Sequence, residues 1–304
     1  MQGKEQMTVI LVTGGTGLVG SHLVRALVEK GYAVRCLVRT PQKAGEVLPA
    51  GVELFSGEIN DPVLVRKACQ GADQVIHLVA IIREHGNQTF ECVNVEGTLN
   101  LVIAAGQAGV KQFIHMSALG ACDDARYIYA YSKWRGEEAV RQSGLNWTIL
   151  RPSIVYGRGF NFFNRLRQAL KMFPKPFVPV PGRGDTLFQP IAVEDVVKCL
   201  VQVCDNPGML GRIIEIGGPE HLSYVQMLDA LLACLGEKRY KLYVPMPMMR
   251  LVVLLMSIIL QDPPVTPIEL KQLDMDNTTA LNAVADIFGF EPMPLHEGLK
   301  YLSN

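Results

Sequence analysis

The sequence predicts an α/β fold: a doubly wound parallel sheet followed by a smaller, mostly helical C-terminal lobe. Through the first half of the chain, short β-branched runs alternate with helix-length amphipathic stretches, which is the pattern of βαβ units. Strand-like runs such as VILV at 9–12 and VIHLVA at 75–80 are almost wholly apolar, as parallel strands covered on both faces must be. A glycine-rich turn joins the first such run to the first amphipathic stretch.

Composition sets the bounds. Among 304 residues, 49% are hydrophobic and 19% charged, which excludes a disordered chain. Twenty-nine basic residues balance twenty-nine acidic ones, which argues against nucleic acid as a partner held by a basic surface. The length suits a full α/β core with one appended lobe.

Strands are expected at Thr8–Thr13, Ala33–Val38, Val52–Phe55, Gln74–Val79, Gln112–Met116 and Trp147–Leu150. Helices are expected between them at Val19–Lys30, Pro62–Cys69, Thr89–Ala108 and Ile128–Ser143. After Arg151-Pro152 the texture changes. Arg158, Arg165, Arg167, Lys171, Lys175 and Arg183 occur without one carboxylate, interleaved with Phe160, Phe162, Phe163, Phe173 and Phe177. Four prolines then crowd 174–181, which reads as the start of a less regular lobe. A helix over Val193–Cys204 and a strand over Ile213–Ile216 return to the sheet, closed by Gly217-Gly218-Pro219. The expected division is therefore a dinucleotide-binding core of 1–157 plus 186–217, and a substrate or partner lobe of 158–185 plus 218–304.

Seven cysteines, without a C-x-x-C pair or zinc-like histidine spacing, predict a reducing compartment and no structural metal. Met1–Gln6 is short and polar, and Val9–Val12 is too brief for a signal-peptide core. The expected place is the cytoplasm.

The first strand runs into Thr13-Gly14-Gly15-Thr16-Gly17-Leu18-Val19-Gly20 and then a helix. Glycines 15, 17 and 20 satisfy G-x-G-x-x-G, and 14, 17 and 20 satisfy G-x-x-G-x-x-G. Such glycines let backbone N–H groups approach a pyrophosphate at the positive end of a helix. The plainer alternative, a glycine-rich surface turn, lacks a reason for the strand before and the helix after. At the end of the second strand, where NAD sites usually carry an acid, this chain has Arg39, whose planar fork suits a 2′-phosphate. NADP(H) is favoured on that ground, with NAD(H) the alternative. Glu58 and Ile59 after the third strand, and Ala80 after the fourth, would border the same cofactor. His77 lies inside an apolar strand and reads as a satisfied buried histidine.

Tyr129 and Lys133 stand four apart, on one face of the helix after the fifth strand. A lysine ammonium beside a tyrosine favours its phenolate, making an acid-base pair, and the lysine can also hold the nicotinamide ribose. Ser117 ends the fifth strand and could hydrogen-bond a substrate oxygen from the other side. Tyr127 and Tyr131 have the wrong spacing to share Lys133.

In TGGTGLVG, HLVA, VNVEGT with Asn94, YAYSK and LRPSIVYG, in that order, the chain resembles the extended or atypical short-chain dehydrogenase/reductases, the NAD-dependent epimerase/dehydratase-like branch. FIHMSALGA, GEEAVRQSGLNWTILRP, FQPIAVEDV, EIGGPE and PPVTPIELKQLDMDN make it similar to bacterial relatives of the nicotinamide-binding accessory subunit of respiratory complex I, alpha subcomplex subunit nine. The resemblance implies a Rossmann-type core, bound NADP(H) or NAD(H), and matching positions Gly14, Gly17, Gly20, Arg39, Ser117, Tyr129 and Lys133. Extended members place the substrate-contacting hydroxyl in a run of serines, where this chain has Met116-Ser117-Ala118. Two functions follow: an oxidoreductase acting on a carbonyl or hydroxyl of a small, lipid-like or quinone-like substrate, or a non-catalytic nucleotide-holding factor of a membrane respiratory complex.

Lys238, Arg239, Lys241 and Arg250 precede the apolar stretch Leu251–Leu260. A basic collar beside a short apolar helix can lie in a bilayer interface, giving peripheral contact at the inner face of the membrane. A buried core helix of the small lobe is the other reading.

Overall fold

The computed structural model describes residues 7–159 and 162–303. The chain folds as two compact units, Met1–Arg151 with Val196–Ile214, and Pro152–Asp195 with Glu215–Asn304. The first is built on β1 (Val9–Thr13), α1 (Leu18–Glu29), β2 (Ala33–Val38), α2 (Pro41–Val47), β3 (Glu53–Ser56), α3 (Pro62–Cys69), β4 (Gln74–His77), α4 (Gly97–Gln107), β5 (Gln112–Met116), α5 (Ile128–Arg141) and β6 (Trp147–Pro152). With the strand Arg212–Ile216 at one edge, the seven strands lie in the order Arg212–Ile216, β6, β5, β4, β1, β2, β3. Pairing is parallel from β6 through to β3. The strand order reverses between β1 and β4, so ligands belong outside the carboxyl ends of those two strands. Ile10, Leu11, Val12, Val75 and Ile76 are fully buried there, which is why those runs carry no alternation.

One expected helix begins differently. Over Glu91–Glu96 the chain is π-helical, with Gly97 N–H bonding back to the Cys92 carbonyl, and regular helix starts only at Gly97. Asn94 in that wide turn is tied to Ile81 and Ser132, which holds the turn open. Such π segments concentrate at functional sites. The helix α2, which opens on Pro41 at its first position, was not expected.

The second unit contains, among its described residues, three two-stranded sheets besides its helices. Val155–Tyr156 pairs with Ile191–Ala192, and fully buried Tyr156 packs with Phe163, Val180 and Leu228. Segments 152–157, 186–195 and 215–217, expected with the core, fall in this unit instead. The proline-rich stretch is also more regular than expected. Phe177–Pro181 is a strand, parallel to Tyr240–Val244. A two-stranded sheet leaves each strand an unpaired edge on which Pro179 and Pro181 forfeit no ladder bond.

The basic character of this unit is locally neutralised. Arg165 pairs with Glu269 at 2.7 Å, Lys175 and Arg239 with Glu237, each at 2.9 Å, and Arg183 with Asp185. Phe163 is core rather than pocket lining. Phe160 and Met1–Gln6 lie outside the described residues.

Candidate active site

After β1 the backbone turns at Gly14, whose φ of +77° lies in the left-handed region. A Cβ there would also stand 3.0 Å from the Leu78 carbonyl carbon and the Val79 nitrogen, so the loop after β1 leans directly on the chain leaving β4. Gly17 donates its N–H to the Gly14 carbonyl at 3.0 Å and forms the N-cap of α1, with no side chain satisfying the helix N–H groups. A Cβ on Gly20 would lie 2.1 Å from the Gly14 oxygen and 2.7 Å from Gly15 Cα. Only glycine lets α1 start this close to the loop. Uncapped N–H groups at a helix start are an anion site.

The other expected cofactor residues divide by exposure. Thr16, Gly17, Arg39, Glu58 and Ala80 are exposed, Gly14 and Leu18 half-buried, and Gly15, Val19 and Gly20 buried. Val19, 6% exposed, sends its side chain into the core, leaving only its backbone at the loop. Ile59 joins the core cluster of α3 and α4, so it does not offer a free apolar face. Arg39 has no hydrogen-bond or ion-pair partner among the described residues. These residues fit a dinucleotide: a bare helix terminus, glycines where side chains would clash, and an unengaged guanidinium at the end of β2.

Along α5, Tyr129, Lys133 and Glu137 recur every fourth residue and share a face. Lys133, 3% exposed, donates from Nζ to the Met116 carbonyl at 2.9 Å, the last residue of β5. Burial lowers the lysine to about 8, opposed by the charge of Glu137. Glu137, 1% exposed, is itself held in a fork by Arg151, at 2.8 Å from Nε and 2.6 Å from Nη2. Tyr129 packs edge-on against Phe90 with ring centres 5.9 Å apart, and burial pushes its phenol up to about 12. Ser117 donates its backbone N–H to Leu150, but its hydroxyl, in a side chain 4% exposed, has no partner. Both ring nitrogens of His115, two residues earlier on the same strand face, are also unpartnered. Burial, then the neighbouring Lys133 charge, keeps His115 neutral by lowering its pKa well below the usual range. Buried polar groups are nearly always satisfied, so two orphans at one strand end stand out as groups the protein leaves unanswered. Tyr131 stacks on Trp134 instead of joining this face.

His77 is a satisfied core group. The Thr98 hydroxyl gives its proton to the Asn94 carbonyl at 2.7 Å, so it accepts from His77 Nε2, and Nδ1 accepts from Thr13 at 2.7 Å. Burial, helped by Lys133, lowers this histidine to about 3. Asn94 uses its amide to bond both the N–H and the carbonyl of Ile81, fixing the chain after β4. Sequence reasoning gave no role to Glu137, Asn94 or His115. The four-residue spacing from Lys133 was the available signal for Glu137; nothing local marks His115.

The buried ammonium has a stability cost. In the unfolded chain the lysine holds its proton to about 10.5, in the folded chain to about 8, so the penalty is complete below 8 and relieved as pH rises through that window. Lys133→Met is therefore expected to raise stability at pH 7 by roughly 2 kcal/mol. Denaturant melts at pH 7 and pH 10 check it: the gain shrinks at the higher pH, and an equal gain at both would contradict it.

The NAD dependent epimerase/dehydratase family model matches residues 10–217, and the chain belongs to that family. Among curated relatives, the NAD(P)H azoreductase of Xenophilus azovorans is 31% identical over 75% of this chain and 74% of its own. The ceramide reductase of Caulobacter vibrioides is 34% identical over 67% of this chain and 63% of its own. The mitochondrial NADH dehydrogenase [ubiquinone] 1 alpha subcomplex subunit 9 of Dictyostelium discoideum is 27% identical over 78% of this chain and 66% of its own. The chain thus spans about two thirds of the length of the latter two. Among solved structures, UDP-glucuronic acid 4-epimerase from Bacillus cereus, in complex with UDP-glucuronic acid and NAD, superposes with a TM-score of 0.74 at 21% identity, covering 97% of this chain and 98% of that one. That likeness establishes the fold.

Proposed function

We propose that this chain is an NADP(H)-dependent reductase of a carbonyl on a lipid-like or quinone-like molecule. The observation that carries the reading is the buried, unpartnered Ser117 hydroxyl at the strand end to which Lys133 is bonded: a donor kept for an oxygen that the protein does not supply. The azoreductase and ceramide reductase relatives support reduction over epimerisation.

Gly14 to Gly20 and the start of α1 would hold the pyrophosphate, Arg39 the 2′-phosphate, and Lys133 the nicotinamide ribose. The bound dinucleotide supplies the hydride. Ser117 orients the substrate oxygen by donating a hydrogen bond, and Tyr129 gives that oxygen its proton. A phenol raised by burial stays protonated across neutral pH, which suits a proton donor and hence the reductive direction. Lys133, as the cation, stabilises the phenolate left behind; the Met116 carbonyl holds its ammonium in place and the charge of Glu137 favours the protonated form. Activity should fall as pH rises through about 8, where Lys133 loses its charge.

Arg39→Ala tests the nucleotide. NADPH affinity is expected to drop at least about tenfold, the scale of a lost charge-assisted phosphate contact of roughly 1.5–3 kcal/mol, with NADH little changed. Equal losses for both would remove the assignment.

A second reading has its own support. The match to a subunit of an NADH dehydrogenase [ubiquinone] supports an accessory role in a respiratory complex, with the dinucleotide site serving to hold a nucleotide rather than to turn it over. Membrane contact through the second unit is compatible with both readings. They part at Tyr129, which matters only to the reductase.

A further inference from the structure

We infer that the helix Met246–Ile259 lies in the plane of a bilayer interface with its outer face in the acyl region, and that apolar insertion rather than charge holds it there. Only Met249 and Val253 of its 14 residues are buried, against Leu270. Met248, Leu251, Leu254, Leu255, Ile258 and Ile259 are each at least half exposed, the last two at 74% and 78%. At 100° per residue these six span about 140° of the helix circumference, a solvent face without one polar side chain. An apolar arc of that width is normally turned to the core.

The width of this face selects the occupant. A second helix, from a copy of this chain or another protein, covers a seam of about 100° or less and would leave Leu254 and Ile259 at its margins in water. A bilayer interface covers the whole arc. Fourteen residues make about 21 Å of helix, short of the roughly 30 Å hydrocarbon core, so the helix lies flat. No helix among the described residues is long and apolar enough to cross a membrane. The strand leading into it exposes Tyr240 at 70% and Tyr243 at 56%, the amphipathic aromatics of membrane–water interfaces.

Of the four basic residues of the collar, Lys238 alone is unpaired among the described residues, so the collar is not a free cationic patch. Lys241 is paired with Asp229 at 2.6 Å, Arg239 with Glu237, and Arg250 with Asp274 at 3.2 Å. Attraction to anionic lipid is therefore a minor contribution.

The inference sharpens the membrane contact proposed above but does not rest on catalysis, and its test needs no nucleotide. Full-length protein is floated with phosphatidylcholine vesicles, with and without phosphatidylglycerol, in about 0.1 M and about 1 M salt, where screening differs threefold in range. The wild type is expected to float with neutral vesicles at both salts. The double variant Leu255→Glu, Ile258→Glu, altered only at exposed positions, is expected to lose about tenfold or more of its partitioning while its melting and nucleotide binding are unchanged. Flotation only with anionic vesicles and only at low salt would overturn it. So would equal flotation of the variant, or a wild-type dimer that the variant breaks without either protein binding vesicles.

Discussion

Gly20→Ala is expected to abolish dinucleotide binding. Its added methyl would sit 2.1 Å from the Gly14 oxygen and 2.7 Å from Gly15 Cα, both backbone atoms that cannot rotate away. Either α1 retreats from the loop or the loop moves, and each withdraws the uncapped N–H groups from the place where a pyrophosphate meets them. Overpacking of this kind costs roughly 1–3 kcal/mol in stability, and a 1 Å shift of the cradle removes several charge-assisted bonds at once. A loss of about 100-fold or more in nucleotide affinity, about 2.7 kcal/mol, is the expected scale. Gly31→Ala, at a glycine with no atom within 4 Å of the added Cβ, controls for strain, since its φ of +88° is costly without touching the loop. If Gly20→Ala bound NADPH as well as the wild type, the loop would not be the cradle.

Tyr129→Phe should eliminate turnover while sparing the nucleotide. The ring packs on Phe90, and the substitution removes only the hydroxyl, so the fold and the contact are retained. Loss of a proton donor costs about 10²–10⁴ in rate. NADPH oxidation with a series of long-chain ketones and quinones reads this out, and nucleotide titration reads the control. Lys133→Met is the contrasting variant, expected to lose turnover and weaken the nucleotide while gaining stability. A wild type and a Tyr129→Phe variant with the same oxidation rate would favour the nucleotide-holding reading.

The sheet was legible because buried parallel strands leave an unbroken apolar signature, and the loop because glycine spacing and strand–helix context coincide. Tyr129 and Lys133 were legible because helical periodicity puts residues four apart on one face. What escaped depends on distant partners. The π-helical start at Glu91–Glu96 reads as ordinary helix until Asn94 meets Ile81 and Ser132. Phe177–Pro181 finds its strand partner at Tyr240–Val244, beyond the reach of local pattern. The charge run 158–183 looked free because Glu237 and Glu269, which neutralise Lys175 and Arg165, lie far along the chain. For the helix Met246–Ile259, a composition apolar but for Arg250 and Ser257 cannot by itself tell which face is covered.

The most direct measurement is titration of the purified wild-type chain with NADPH and with NADH, followed by nucleotide fluorescence. Binding of both, with NADPH the tighter, is the result expected from the uncapped α1 terminus and the unengaged Arg39. No saturable binding of either nucleotide up to about millimolar concentration, the weak end of useful affinity, would contradict the account.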